Sequence, residues 1–168
     1  MTRVLKVLAI VAAAAISLAV VPADAASPGS GTLSKSKKSL KWTGATATFS
    51  SPTPPADMDC NLIGDPNCDH YTLKINLGEG AKIEISIKGA DPANPNSPTK
   101  PYNDYDIYMY APDGTRVGTG DSGSGNETFT FIHRARFRNK PYDIAVRPWL
   151  VLPGASYKGF VKAVTLGR

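Results

Sequence analysis

Asp104-Tyr-Asp-Ile-Tyr-Met-Tyr-Ala-Pro-Asp-Gly114 decides how this chain is read. Ile107, Met109 and Ala111 alternate with Asp106, Tyr108 and Tyr110, so one side can pack inward at the period of a strand. Pro112-Asp113-Gly114 then supplies a turn, with glycine tolerating the positive φ such turns often need. Asp104 and Asp106 lie two apart, which on extended backbone points both carboxylates to one side.

Working outward, the same alternation recurs. Residues 70–77 place Tyr71, Leu73, Ile75 and Leu77 on one face, and 81–88 place Ile83, Ile85 and Ile87 on one face. With Gly78-Glu79-Gly80 between them, the two runs are expected to pair as a hairpin. Strands are also expected at 39–49, 104–111, 115–118, 126–137, 142–146 and 155–166. In 39–49 periodicity leaves open which face is inward, and Trp42 is read as core. Residues 126–137 put Phe129, Phe131, His133, Ala135 and Phe137 on one side, so His133 is expected to be packed and hydrogen-bonded. Arg134, Arg136 and Arg138 fall on the other side. Fourteen prolines and fifteen glycines, with no helical periodicity, fit many short strands joined by turns. The expectation is an all-β, antiparallel, jelly-roll-like β-sandwich of about eight strands at 39–168.

The ends are different in character. Arg3 and Lys6 precede an apolar run at 7–21, and Ala23-Asp24-Ala25 offers the small residues a signal peptidase reads. Residues 1–25 are therefore expected to be a cleaved signal peptide, leaving a secreted, extracellular chain that starts at Ala26 and has no membrane span. Residues 26–38, rich in Ser, Gly and Lys, are expected to be a flexible basic leader, with Lys35, Lys37 and Lys38 solvated.

The two cysteines, Cys60 and Cys68, are expected to form a disulfide, because an exported chain meets oxidising surroundings. Closing so short a ring is worth roughly 2.5 kcal/mol of chain entropy. Loops at 50–69 and 89–103, the latter with four prolines, complete the outline.

Several stretches resemble the bacterial pre-peptidase C-terminal domain family: Trp42-Thr-Gly44, Cys60, Tyr71-Thr-Leu-Lys-Ile75, Asp104-Tyr-Asp-Ile-Tyr108, Pro112-Asp-Gly114, Glu127, Tyr142-Asp-Ile-Ala-Val146 and Ser156-Tyr-Lys-Gly159. Together they span residues 39–166. The resemblance implies a jelly-roll-like sandwich of the kind appended to secreted proteases and other hydrolases. Members serve in secretion, folding or substrate attachment, and some bind calcium or fibrous protein. No catalytic domain precedes the sandwich here, so the module is expected to act alone or for a separate partner. The glycine usual before the Tyr142 strand is replaced by Arg138-Asn-Lys-Pro141.

Three site chemistries follow from the residues. Calcium takes six to eight oxygens, and Asp104, Asp106, Asp121 and Glu127 could supply several. Arg134, Arg136 and Arg138 would line one strand face, where they could grip anionic groups of a polymer or, the role favoured for an edge strand, simply block aggregation. Gly120-Asp-Ser-Gly123 resembles the nucleophile loop of trypsin-like proteases, and His70, Asp104 or Asp106, and Ser122 stand in that family's triad order. A triad also needs an oxyanion hole and scaffold, and the chain is too short for the two barrels of that fold.

The expected function is a non-enzymatic binding module for an extracellular protein or a cell-surface polysaccharide, with calcium as the candidate cofactor. The alternatives are an accessory to a separate secreted hydrolase and a small serine hydrolase. A monomer is expected. No nucleic-acid motif accompanies the net charge of +5.

Overall fold

The computed structural model describes residues 26–45, 60, 68–90, 103–123, 125–151 and 155–168. The expected signal peptide at 1–25 and most of the loops at 50–69 and 89–103 lie outside the described residues. Among the described residues there are nine strands and one short 3-10 turn. The strands are β1 (Ser30–Ser34), β2 (Ser39–Ala45), β3 (Asp69–Asn76), β4 (Lys82–Ala90), β5 (Asp104–Tyr110), β6 (Arg116–Gly120), β7 (Asn126–Ile132), β8 (Pro141–Leu150) and β9 (Ser156–Ala163). They form a five-stranded sheet, ordered β1-β3-β8-β5-β6, and a four-stranded sheet, ordered β2-β9-β4-β7. Every pairing is antiparallel except β1 on β3, which is parallel. The β-sandwich read from the sequence is the architecture observed. Among the described residues no helix is long and apolar enough to cross a membrane.

The core lies where period-2 alternation puts it. Tyr71, Leu73 and Ile75 of β3, Tyr105, Ile107 and Met109 of β5, and Tyr142, Ile144 and Val146 of β8 come from one layer. Leu40 and Trp42 of β2, Ile83, Ile85 and Ile87 of β4, Phe131 of β7, and Tyr157 and Val161 of β9 meet them from the other. Trp42 is stacked on Tyr71 across the layers, with ring centroids 4.3 Å apart, so it is a core residue as expected.

Three expectations are corrected. First, β3 and β4 are not a hairpin. β3 pairs with β1 and β8, and β4 with β7 and β9, so the chain crosses from one layer to the other at Gly78-Glu79-Gly80. Leu77 and Ala81 on either side of this arch are buried, and its amides turn elsewhere: Gly78 N–H donates to Leu166 (2.9 Å) and Gly80 N–H to His133 (3.0 Å). Two strands with inward apolar faces serve an arch as well as a hairpin, so alternation does not distinguish them.

Second, residues 26–38 are not a flexible leader. β1 adds to the edge of β3, anchored by one buried side chain, Leu33. Gly31 lets it pass close, since a Cβ there would sit 2.2 Å from the Tyr71 hydroxyl. Lys35, Lys37 and Lys38 are exposed on the turn that follows, as expected.

Third, 126–137 is not one strand. β7 stops at Ile132, and Ala135–Phe137 forms a 3-10 turn that buries Phe137. Arg134, Arg136 and Arg138 therefore do not form a stripe on a strand face.

The outer side of β5 is covered as well. Tyr108 and Tyr110 pack with Ala145 and with Cys60 and Cys68, which form the expected disulfide, with Cα atoms 5.9 Å apart.

Candidate functional site

β7 separates two clusters of charge, one at each end of its seven residues, roughly 20 Å apart at strand rise. At its start lie the four carboxylates singled out from the sequence. Asp104 opens β5 and Asp106 follows on the same strand. Antiparallel pairing sets Gly120 opposite Ile107, so Asp121, just past β6, returns to this end. Glu127 is the second residue of β7 and faces the buried side.

Their mutual influence is visible in their acidity. Asp106 is only 8% exposed, and its carboxyl is pushed up to about 6, chiefly by burial. The Tyr108 hydroxyl, donating at 3.1 Å, and the Arg147 guanidinium pull it back, while Asp104 and Asp121 push it further up. Asp104 is raised by burial and then by the charge of Glu127. Among the described residues, Asp104 Oδ1 is buried without a hydrogen-bond partner. The Ser122 hydroxyl donates to Glu127 Oε1 at 2.6 Å, and Gly120 leaves room for Glu127, whose Oε2 would be 3.0 Å from a Cβ there. Among the described residues no three His, Cys, Asp or Glu side chains already converge on a common metal position.

Arg147 is the member of this cluster that the sequence reading missed. It faces Asp106 across the β5–β8 ladder, is buried, and stacks over Trp149 at 4.6 Å. Arg147-Pro148-Trp149 was a signal of sorts: charge beside an aromatic, directly after the apolar run Ile144-Ala145-Val146.

A pH dependence follows. An acid whose folded pKa is raised is most compatible with the fold below its unfolded pKa, and that contribution is lost as pH rises through the folded value. For Asp106 the window runs from about 4 to about 6. Thermal melts of wild type and Asp106→Asn should therefore diverge, wild type losing midpoint relative to the variant as pH rises from 4 to 6. A constant difference would remove this account.

The far end of β7 is basic. The arch, the 3-10 turn and the C-terminal residues meet there: Arg168 N–H donates to Glu79 O at 3.0 Å, and Ala135 N–H donates to Glu79 Oε2. Arg134 and Arg136 border two adjoining clefts, of about 340 Å³ and 410 Å³. The first has an apolar floor that includes Val117, Phe131, Phe137 and Tyr142, and Ile132 beside it is 54% exposed. Glu79 lines the second. The Arg136 guanidinium lies 4.5 Å over the Phe137 ring and 3.4 Å from Asp113, an exposed contact of small energetic weight. Arg138 is set apart, because its Nε donates to the Leu77 carbonyl at 3.1 Å. The structure thus brings two of the three arginines together.

The triad order of the sequence is not reproduced in space. His70 Nδ1 contacts the Asp143 carboxylate at 3.0 Å, and Ser122 donates to Glu127. His133 is buried, with Nδ1 3.0 Å from the Tyr142 hydroxyl, and burial lowers its pKa.

No protein-family model and no curated protein sequence matches this chain. Among solved structures, it is similar to the pre-peptidase C-terminal domain of collagenase from Bacillus anthracis. Identity is 14%, over 84% of this chain and 97% of that one, with a TM-score of 0.44. It is also similar to CorA, a surface-associated copper-binding protein important in copper acquisition by Methylomicrobium album BG8. There identity is 10%, over 80% of this chain and 97% of that one, with a TM-score of 0.47. The likeness is one of fold. The first of these structures carries the family name that the sequence motifs resemble.

Proposed function

We propose that this protein is a secreted, non-catalytic β-sandwich module that holds an anionic partner, an extracellular protein or a cell-surface polysaccharide, at the basic end of the sandwich. The observation that carries the reading is the pair of clefts edged by Arg134 and Arg136, the first of them over a floor that includes Phe131, Phe137 and Tyr142. Guanidinium groups recognise carboxylate and sulfate in a fixed fork geometry, while the apolar floor accepts a sugar face or a side chain. The separate pairing of Ser122 and His70 favours binding over hydrolysis.

The test is retention on immobilised acidic polysaccharide and on surface proteins of the producing cell, at low and high salt. Arg134→Glu combined with Arg136→Glu is expected to lower affinity for the retained polymer at least tenfold, with an unchanged melting midpoint, because both side chains are exposed. Equal retention of wild type and variant would end the reading.

Calcium at the acidic end forms part of the proposal. Asp104, Asp106, Asp121 and Glu127 are the donors that would hold it. Asp104 Oδ1, which has no hydrogen-bond partner among the described residues, and the raised pKa values of Asp104 and Asp106 are what a hard cation would relieve. Millimolar calcium is expected to raise the melting midpoint of wild type, and to leave that of Asp104→Ala where it is. A wild-type midpoint indifferent to calcium and to EDTA would dismiss the site.

A further inference from the structure

At the β2–β3 end of the sandwich, the backbone nitrogen of Ala26 is 2.7 Å from Asp69 Oδ1, and this contact is buried. Ala26 itself is only 5% exposed. The following residue is fastened to β2: Ser27 N–H donates to Thr43 at 2.7 Å, and Thr43 N–H returns a bond to Ser27 at 3.0 Å. Thr72 N–H then donates to Gly29 at 3.0 Å before β1 begins. Residues 26–34 are thus laid across the edges of both layers, with the Ala26 nitrogen aimed at a carboxylate.

Among the described residues, that carboxylate is short of positive charge, His70 being the base whose charge acts on it. Its second oxygen accepts from the Tyr157 hydroxyl at 2.5 Å, and the same hydroxyl lies 3.4 Å from the Trp42 indole nitrogen. Tyr157, with Tyr105 behind it, is held far above its ordinary pKa by burial, so it stays a neutral donor. His70, next in sequence on β3, is the neighbouring base, and its ring is engaged by Asp143. Gly44 keeps the space open, since a Cβ there would lie 2.3 Å from Asp69 Oδ2. With an amide nitrogen at Ala26, burial pushes the Asp69 carboxyl up to about 6. A buried carboxylate with only neutral donors is costly, and a cation at hydrogen-bond distance is what offsets that cost.

The sequence supplies that cation independently. Ala23-Asp24-Ala25 is where a signal peptidase is expected to cut, and cutting after Ala25 turns the Ala26 amide into an α-ammonium: water adds across the peptide bond, the carboxyl leaves with residues 1–25, and the amine takes up a proton. We infer that the Asp69 carboxylate is the receptor for the chain's own α-ammonium group, so that removal of the export signal completes a buried ion pair and locks the fold. The inference rests on the export reading, because the Ala26 nitrogen becomes an ammonium only when the chain is cut after Ala25.

The experiment is a double-mutant cycle on purified protein. Proteins starting at Ala26, and proteins with Gly-Ser added before it, are each made with Asp69 and with Asp69→Asn. The free terminus is expected to raise the melting midpoint at pH 7 by about 10 °C over the extended form when Asp69 is present, and far less when it is Asn. The amine's folded pKa is raised by its partner, so the advantage is present below its unfolded value near 8 and lost as pH rises through the folded value. A midpoint difference that persists in Asp69→Asn is steric and overturns the inference, as does no difference at all. In wild type alone, the Ala26 amine should acylate at least tenfold more slowly in the native state than in urea; equal rates overturn the pairing. Terminal sequencing of the exported protein reads the cut separately: Ala26 first supports the inference, and any other first residue overturns it whatever the melting comparison shows.

Discussion

Trp42→Ala is expected to lower the free energy of unfolding by about 4 kcal/mol, the middle of what aromatic truncations in cores cost. Trp42 is 2% exposed and stacks on Tyr71 with the ring planes 15° apart, linking the two layers. On the neighbouring strand it lies opposite Gly159, where a Cβ would fall 2.0 Å from the indole ring. The glycine has no side chain to fill the void left by the ring, so relaxation is limited and the cavity cost stays high. Urea unfolding monitored by circular dichroism reads the loss as a lower midpoint at constant slope. The reverse experiment uses the same fit. Gly159→Ala alone should overpack and cost about 1 to 3 kcal/mol, but in the Trp42→Ala background most of that cost should vanish, because the clashing ring is gone. Strict additivity of the two substitutions would show that the ring and the glycine are not fitted to one another.

The second large effect is loss of the disulfide. Cys60→Ser combined with Cys68→Ser is expected to cost about 3 kcal/mol, the chain-entropy share being roughly 2.5 kcal/mol. The remainder comes from the outer face of β5, where Tyr108 and Tyr110 pack with these two cysteines. The bridge closes a ring and also holds cover over two tyrosines on the side of the sheet that faces away from the main core. Reduction of wild type should therefore both lower the melting midpoint and increase iodide quenching of tyrosine fluorescence. A midpoint indifferent to reductant would contradict the assignment.

The sequence reading reached some levels and not others for definite reasons. Inward faces were legible wherever apolar residues recur every second position, as at Tyr71 to Leu77 and Ile83 to Ile87, because burial of one face fixes that pattern whatever the partner strand. Partnership was not legible, since the same pattern suits a hairpin and an arch between layers; the decision is made by bonds such as Gly78 to Leu166, far apart in sequence. β1 escaped because Leu33 is its one fully buried side chain, too little to rise above a polar background. The Arg134, Arg136 and Arg138 alternation imitated a strand, yet Phe137 reaches the core through a tight turn, and the alternation ended up spread over it.

The acidic cluster was legible through Asp104 and Asp106 on one strand, with Asp121 and Glu127 brought in by the β5–β6 and β6–β7 connections. The roles of Arg147 and Asp69 were missed because they depend on neighbours that no local pattern announces, Asp106 across the β5–β8 ladder and Tyr157 from the other layer.

The position of β9 has a kinetic consequence. It is an interior strand of its layer, between β2 and β4, yet it is the last of the described strands in sequence order. A polypeptide threaded N-terminus first through a translocation pore would present β2 and β4 with the slot between them vacant until Ser156–Ala163 emerged. Delivered that way, the layer would consolidate only after Ser156–Ala163 had passed, which would tie its slow, long-range closure to arrival on the far side.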